Sequence, residues 1–218
     1  MRGVPARCGT PRGMAIVGDT LWVADRTMLR AFGRSSGRPI ATVALGPLGA
    51  QSLSDIAVGL DGALYVSDAA VTYSARGVAQ RAGTPRIYRV VGRKPSVALE
   101  HARLDQPTGL SWDPINARLL IGSAANDTIL GWRPGQPAPE TVAVPPGGPW
   151  DGVEAIGGTA FYVLSSARGE ILFYQSGALR RMVQGARGAG DMAIDPRAGR
   201  LVVPIPGERR VEVWEIRR

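Results

Sequence analysis

One hairpin pattern recurs five times along this chain. Its first copy, Pro11 to Asp25 (PRGMAIVGDTLWVAD), reads as a turn, a short apolar strand, a Gly-Asp turn and a second strand ending on Asp25. The pattern returns as LSDIAVGLDGALYVSD (Leu53 to Asp68), PTGLSWDPINARLLIGSA (Pro107 to Ala124), WDGVEAIGGTAFYVLSS (Trp150 to Ser166) and GDMAIDPRAGRLVVPIP (Gly190 to Pro206). Each copy joins two apolar runs through a turn of Gly, Asp, Asn or Pro, as a β-hairpin requires. The Gly or Asp ahead of each first strand serves as a phase marker: Gly13, Asp55, Gly109, Gly152 and Asp191, spaced by 42, 54, 43 and 39 residues. Periods of about 40–50 residues holding four short strands are the repeat of a β-propeller blade.

The rest of each repeat fits an all-β propeller with five four-stranded blades, at approximately residues 11–46, 53–100, 107–145, 150–184 and 190–216 of one domain. Third strands are expected at Met28 to Phe32, Arg86 to Val91, Ile129 to Trp132, Glu170 to Tyr174 and Arg210 to Ile216. More polar fourth strands are expected at Ala41 to Leu45, Ser96 to Leu99, Glu140 to Val144 and Leu179 to Val183. Trp22, Tyr65, Leu120, Tyr162 and Val202 hold the same place in the second strand and should pack between blades. The long second interval comes from Ala69 to Pro85, polar, small and Gly-containing, which reads as an extended loop: a rim over one face, or a tolerated insertion.

The last repeat stops after three strands. Val4 to Arg7 could supply a short edge strand at best, because Pro5 cannot donate to a ladder. The expectation is therefore a six-bladed propeller lacking its first blade, with a natural five-bladed form as the alternative. Unpaired strand edges would then favour self-association or aggregation. The sequence as written has no apolar leader and no run of membrane-spanning length, so it reads as soluble and cytoplasmic. A missing upstream segment would make it periplasmic or secreted.

Composition narrows the partners. A net charge of +8 and a pI near 10.7 invite a nucleic-acid reading. However, the cations (arginines except for Lys94) are scattered through turns and strand edges, and no nucleic-acid motif accompanies them, so no specific nucleic-acid partner is expected. Cys8 is the only cysteine and His101 the only histidine, which excludes an internal disulfide and a His-based metal cluster. His101 reads as a loop residue. No phosphate-binding glycine loop, HExxH, CxxC or GxSxG is present.

What remains is positional. In a propeller the innermost strands line a channel, and equivalent residues of successive blades form a ring. Those residues are Arg12, Ser54, Thr108, Asp151 and Gly190, joined by Asp55, Asp191 and Glu154. Carboxylates, hydroxyls and carbonyls together suit a hard cation such as Ca²⁺ or Mg²⁺. The same Asp and Ser residues also begin strands by bonding local backbone, which is the structural alternative.

These motifs, from Pro11 to Ile216, resemble the regucalcin and gluconolactonase superfamily of six-bladed propellers and the related NHL-type propellers. The resemblance implies a divalent cation held by a first-blade Glu, an Asn and an Asp, which polarises a sugar lactone while the Asp helps water attack. The implied Asp falls on Asp151, as ligand and catalytic base. The metal-binding Asn falls on Thr108, a weaker ligand, and a substrate-contacting Asn on Ser54, ahead of Asp55. The Glu has no counterpart. Cation binding is thus expected to be weak, on the order of millimolar, or absent. Two function classes follow: a propeller binding a small-molecule ligand or a partner through its loop-rich face, and a metal-dependent hydrolase of sugar lactones or small esters. The substituted ligands favour the first.

Overall fold

A computed structural model describes residues 9–216 apart from Ala75 and Gly77. The Val4 to Arg7 segment and Cys8 lie outside the described residues. The fold is all-β, a β-propeller of five blades.

Contacts group the chain into two compact units, 1–107 and 108–218. The first unit holds two blades. Its first sheet runs β1 (Pro11–Val17), β2 (Thr20–Asp25), β3 (Met28–Gly33) and β4 (Pro39–Ala44), in that order. Gly18 takes a positive φ of 58° in the tight β1–β2 turn, a conformation glycine adopts without strain. The second sheet contains β5 (Leu53–Val58), β6 (Leu64–Asp68), β9 (Arg86–Val91) and β10 (Lys94–Glu100). Between β6 and β9 the expected loop instead contains a hairpin, β7 (Val71–Tyr73) and β8 (Ala79–Arg81), forming its own two-stranded sheet. Strands of three residues each are too short to show a period in sequence. Ala24, Leu29, Val43, Leu53, Ile56, Val66 and Tyr88 form the core between the two blades.

The second unit holds three blades. Its sheets are β11 (Pro107–Asp113) to β14 (Glu140–Ala143), through β12 (Arg118–Ser123) and β13 (Ile129–Trp132); then β15 (Gly152–Gly157), β16 (Ala160–Ser165), β17 (Glu170–Gln175) and β18 (Ala178–Gln184). The last sheet has three strands among the described residues: β19 (Ala193–Asp195), β20 (Arg200–Ile205) and β21 (Arg210–Glu215). Trp150, Leu120, Val153, Phe161 and Val163 fill one core, and Tyr162, Ile171, Met192, Leu201 and Val203 the next. The residues expected between blades divide. Tyr65, Leu120 and Tyr162 are buried, whereas Trp22 and Val202 are half-buried.

Why the phase markers are Gly or Asp is visible in each unit. A Cβ on Gly13 would collide with the Asp55 backbone and carboxylate and stand 2.8 Å from the Ser54 carbonyl oxygen. A Cβ on Gly109 would stand 2.8 Å from the Asp151 carbonyl oxygen and 2.7 Å from the Val153 nitrogen. At both positions the first strand of the next blade lies so near that only hydrogen fits.

Candidate functional site

In the first unit, Arg12, Ser54 and Asp55 occupy the starts of β1 and β5. Ser54 and Asp55 are buried and serve the fold. Ser54 Oγ donates to the Ser52 carbonyl (3.3 Å), the Asp55 N–H donates to Ser67 Oγ (3.0 Å), and Asp55 Oδ1 accepts the Ile56 N–H (2.7 Å). Arg12 does not join them. Its Nη2 donates to the Tyr73 hydroxyl at 2.8 Å, and its guanidinium carbon lies 5.2 Å from the centre of the Tyr73 ring. Both side chains are exposed, so the β7–β8 hairpin presents an arginine stacked on an aromatic ring at the start of β1. Arg81, at the hairpin's far end, pairs with Asp105.

In the second unit, Asp151 is half-buried just ahead of β15. Its Oδ2 accepts the Ser166 N–H at 2.9 Å and the Ser166 hydroxyl at 2.5 Å. Glu154 Oε2 accepts the Ser111 hydroxyl at 2.9 Å, and Ser111 Oγ in turn accepts the Ala155 N–H. Asp191 Oδ1 accepts the Met192 N–H and stands 3.1 Å from where a Gly152 Cβ would be. Thr108 sits half-buried on β11.

Comparison between blades explains the Asp151 arrangement. In the first two repeats the carboxylate that closes the hairpin sits at the end of the second strand. Asp25 accepts the Gly9 and Thr10 N–H groups, and Asp68 those of Gln51, Ser52 and Ala70. In the fourth repeat that place is Ser165, and the carboxylate has moved across the pair to Asp151, which ties down Ser166. Sequence reading missed Asp25 and Asp68 as anchors, although their shared final position in WVAD and YVSD carried the signal. Tyr73 and Ser166 carried none, because their partners are distant or cross-strand.

The electrostatics follow the same division. Burial alone would push the Asp25 carboxyl up. Hydrogen bonds from Thr10, Arg30 and Gly9, with the Arg30 charge, outweigh it and hold the group below the usual carboxylate range. Asp151, Glu154 and Asp191 each accept at least one hydrogen bond from the chain. Among the described residues no three His, Cys, Asp or Glu side chains gather closely enough to hold a metal. A hard divalent cation takes about six to eight oxygens, so this donor set fits one poorly.

A five-bladed propeller with arginine–tyrosine and carboxylate–serine pairs at its strand starts defines the class. No protein-family profile matches the sequence, and no curated protein sequence aligns with it significantly. Solved structures do share the fold. A gluconolactonase from Xanthomonas campestris is 20% identical with a TM-score of 0.68, covering 89% of this chain and 68% of its own. A chain of a nidogen–laminin complex is 13% identical with a TM-score of 0.69, covering 94% and 80%. An auxiliary nutrient binding protein from Bacteroides thetaiotaomicron is 10% identical with a TM-score of 0.69, covering 94% and 55%. No helix among the described residues is long and apolar enough to cross a membrane.

Proposed function

We propose that this protein is a ligand-binding propeller, without hydrolytic chemistry, whose β7–β8 hairpin forms the rim of the binding face. The observation that carries this reading is the engagement of Asp151. A metal ligand and catalytic base must offer its carboxylate to a cation and a water. Here one oxygen takes two donors from Ser166, in the role that Asp25 and Asp68 fill elsewhere. Arg12, stacked on Tyr73, supplies the recognition element. Guanidinium has five N–H donors, Tyr73 takes one, and the exposed remainder suit the carboxylate of a small acid. That the fold also serves a nutrient binding protein supports a binding role. The second reading, a metal-dependent lactonase, draws on the retained Asp151-Gly152-Val153-Glu154 run and the gluconolactonase likeness. In that reading Thr108, Asp151 and Glu154 would hold the cation, weakly.

Calorimetric titration with Ca²⁺, Mg²⁺, Mn²⁺ and Zn²⁺, with gluconolactone hydrolysis measured alongside, separates the two. The expected result is binding no tighter than about millimolar, with no hydrolysis that depends on Asp151. Gluconate, used as the carboxylate probe, should bind the native chain and bind Arg12→Ala at least tenfold more weakly. Micromolar cation binding and lactone turnover, both lost in a still-folded Asp151→Ala, would replace this reading with the lactonase.

A further inference from the structure

Among the described residues, the last strand differs from the outer strand of each four-stranded sheet. Strands β4, β10, β14 and β18 each carry a register shift against their inner neighbour, and β4 and β10 also contain a proline. Bulges and prolines are how natural sheets blunt an edge. Strand β21 has neither. It pairs with β20 without interruption, from Arg200 opposite Glu215 to Ile205 opposite Arg210. Among the described residues it has no second partner.

Its exposed row is defined by parity. The Ile216 N–H donates to the Gly199 carbonyl at 2.7 Å, so even-numbered residues of this stretch turn their backbone groups toward β20. Val211, Val213 and Glu215 therefore turn their N–H and C=O groups to the open side. Val211 and Val213 are 60% and 57% exposed, and Trp214 is 36% exposed. A straight edge with no bulge or proline, and with Val211 and Val213 exposed along it, is a template for strand addition.

We propose that this edge pairs with β21 of a second copy of the chain, antiparallel about a two-fold axis through Val213. A two-fold axis perpendicular to the sheet places each residue opposite one of equal parity, because opposed residues share a face. Centring on Glu212 would oppose two carboxylates, which is destabilising. Centring on Val211 would bring Arg209, in the left-handed conformation at φ 53°, into the ladder and shorten it. Centring on Val213 opposes Val213 to itself and Val211 to Glu215, so the outward groups of all three residues find partners. The competing occupant, the chain's own first eight residues, carries Pro5, which cannot donate to a ladder. The pairing is independent of any ligand.

The test is sedimentation equilibrium on the full chain over a wide concentration range. A monomer–dimer equilibrium is expected in the native protein. Val213→Lys and Val213→Pro should each weaken it at least tenfold. Lysine places a charge on the axis, and proline removes an outward N–H without touching the β20 ladder. In a Cys8→Ser background, Val213→Cys should form a disulfide-linked dimer readily, while Val97→Cys, on the exposed outer strand β10, should not. A native chain that stays monomeric throughout would overturn the proposal. So would a dimer indifferent to both Val213 variants, or a monomer whose Val211, Val213 and Glu215 amides resist hydrogen exchange.

Discussion

At the scale of single residues, carboxylates at strand ends act as ties. Asp25 is buried, accepts two backbone N–H groups and pairs with Arg30 at 2.5 Å. Hydrogen bonds to a buried charge contribute about 1.5–3 kcal/mol each, discounted here because Arg30 is about one-third exposed. Asp25→Asn presents an amide N–H₂ to donors and should destabilise the protein by about 2–3 kcal/mol in a denaturant titration. The pH dependence has a definite sign. A carboxyl held below its ordinary value contributes its full stability above about pH 4 and loses it as pH falls through the folded-state value. The native protein should therefore lose stability on acidification through that range, and the Asp25→Asn variant should lose less. Equal acid sensitivity in both would show that Asp25 is not a significant titrating tie.

At the scale of elements, strand positions were legible because apolar runs alternate with turn residues at a fixed period. The third strands at Arg86 and Ile129 begin and end where the sequence places them. The β7–β8 hairpin was not legible, because three-residue strands lack a period and their register depends on contacts such as Arg12 with Tyr73. The candidate site was readable as a set of positions and not as a set of roles. Asp55, Asp151 and Asp191 stand at strand starts as expected, but only geometry reveals that Ile56, Ser166 and Met192 are their partners. Close approach between elements yields a sharp expectation. A methyl on Gly109 would meet backbone atoms of Asp151, Gly152 and Val153, none of which can rotate away. Gly109→Ala should cost about 1–3 kcal/mol, as overpacking typically does. Gly207→Ala, where nothing lies within 4 Å, should be close to neutral by the same thermal or denaturant measurement. Similar effects at the two sites would show that β11 and β15 are not in contact as described.

At the scale of the whole molecule, the net charge of +8 poses the question of a nucleic-acid partner. A basic protein that reads nucleic acid gathers its cations into a stripe or onto one helix, with side chains free to reach phosphates or base edges. Here many arginines are committed to carboxylates: Arg30 to Asp25, Arg81 to Asp105, Arg86 to Glu100, Arg89 to Asp61, Arg118 to Asp113 and Arg168 to Glu170. These pairs lie on both compact units and on sheet edges and turns alike, so they spread charge instead of collecting it. We propose on this ground that attraction to a polyanion comes mainly from the long-range field, screened beyond about 8 Å at physiological ionic strength. Fluorescence anisotropy with a duplex of defined sequence and its scrambled counterpart should give equal affinities, within ~1–100 µM at physiological salt. Binding should strengthen sharply as salt is lowered toward 50 mM, by counterion release. A preference of tenfold or more for one duplex, or an affinity that survives high salt, would mean that direct base contacts exist and that the scattered arginines converge on a nucleic-acid surface.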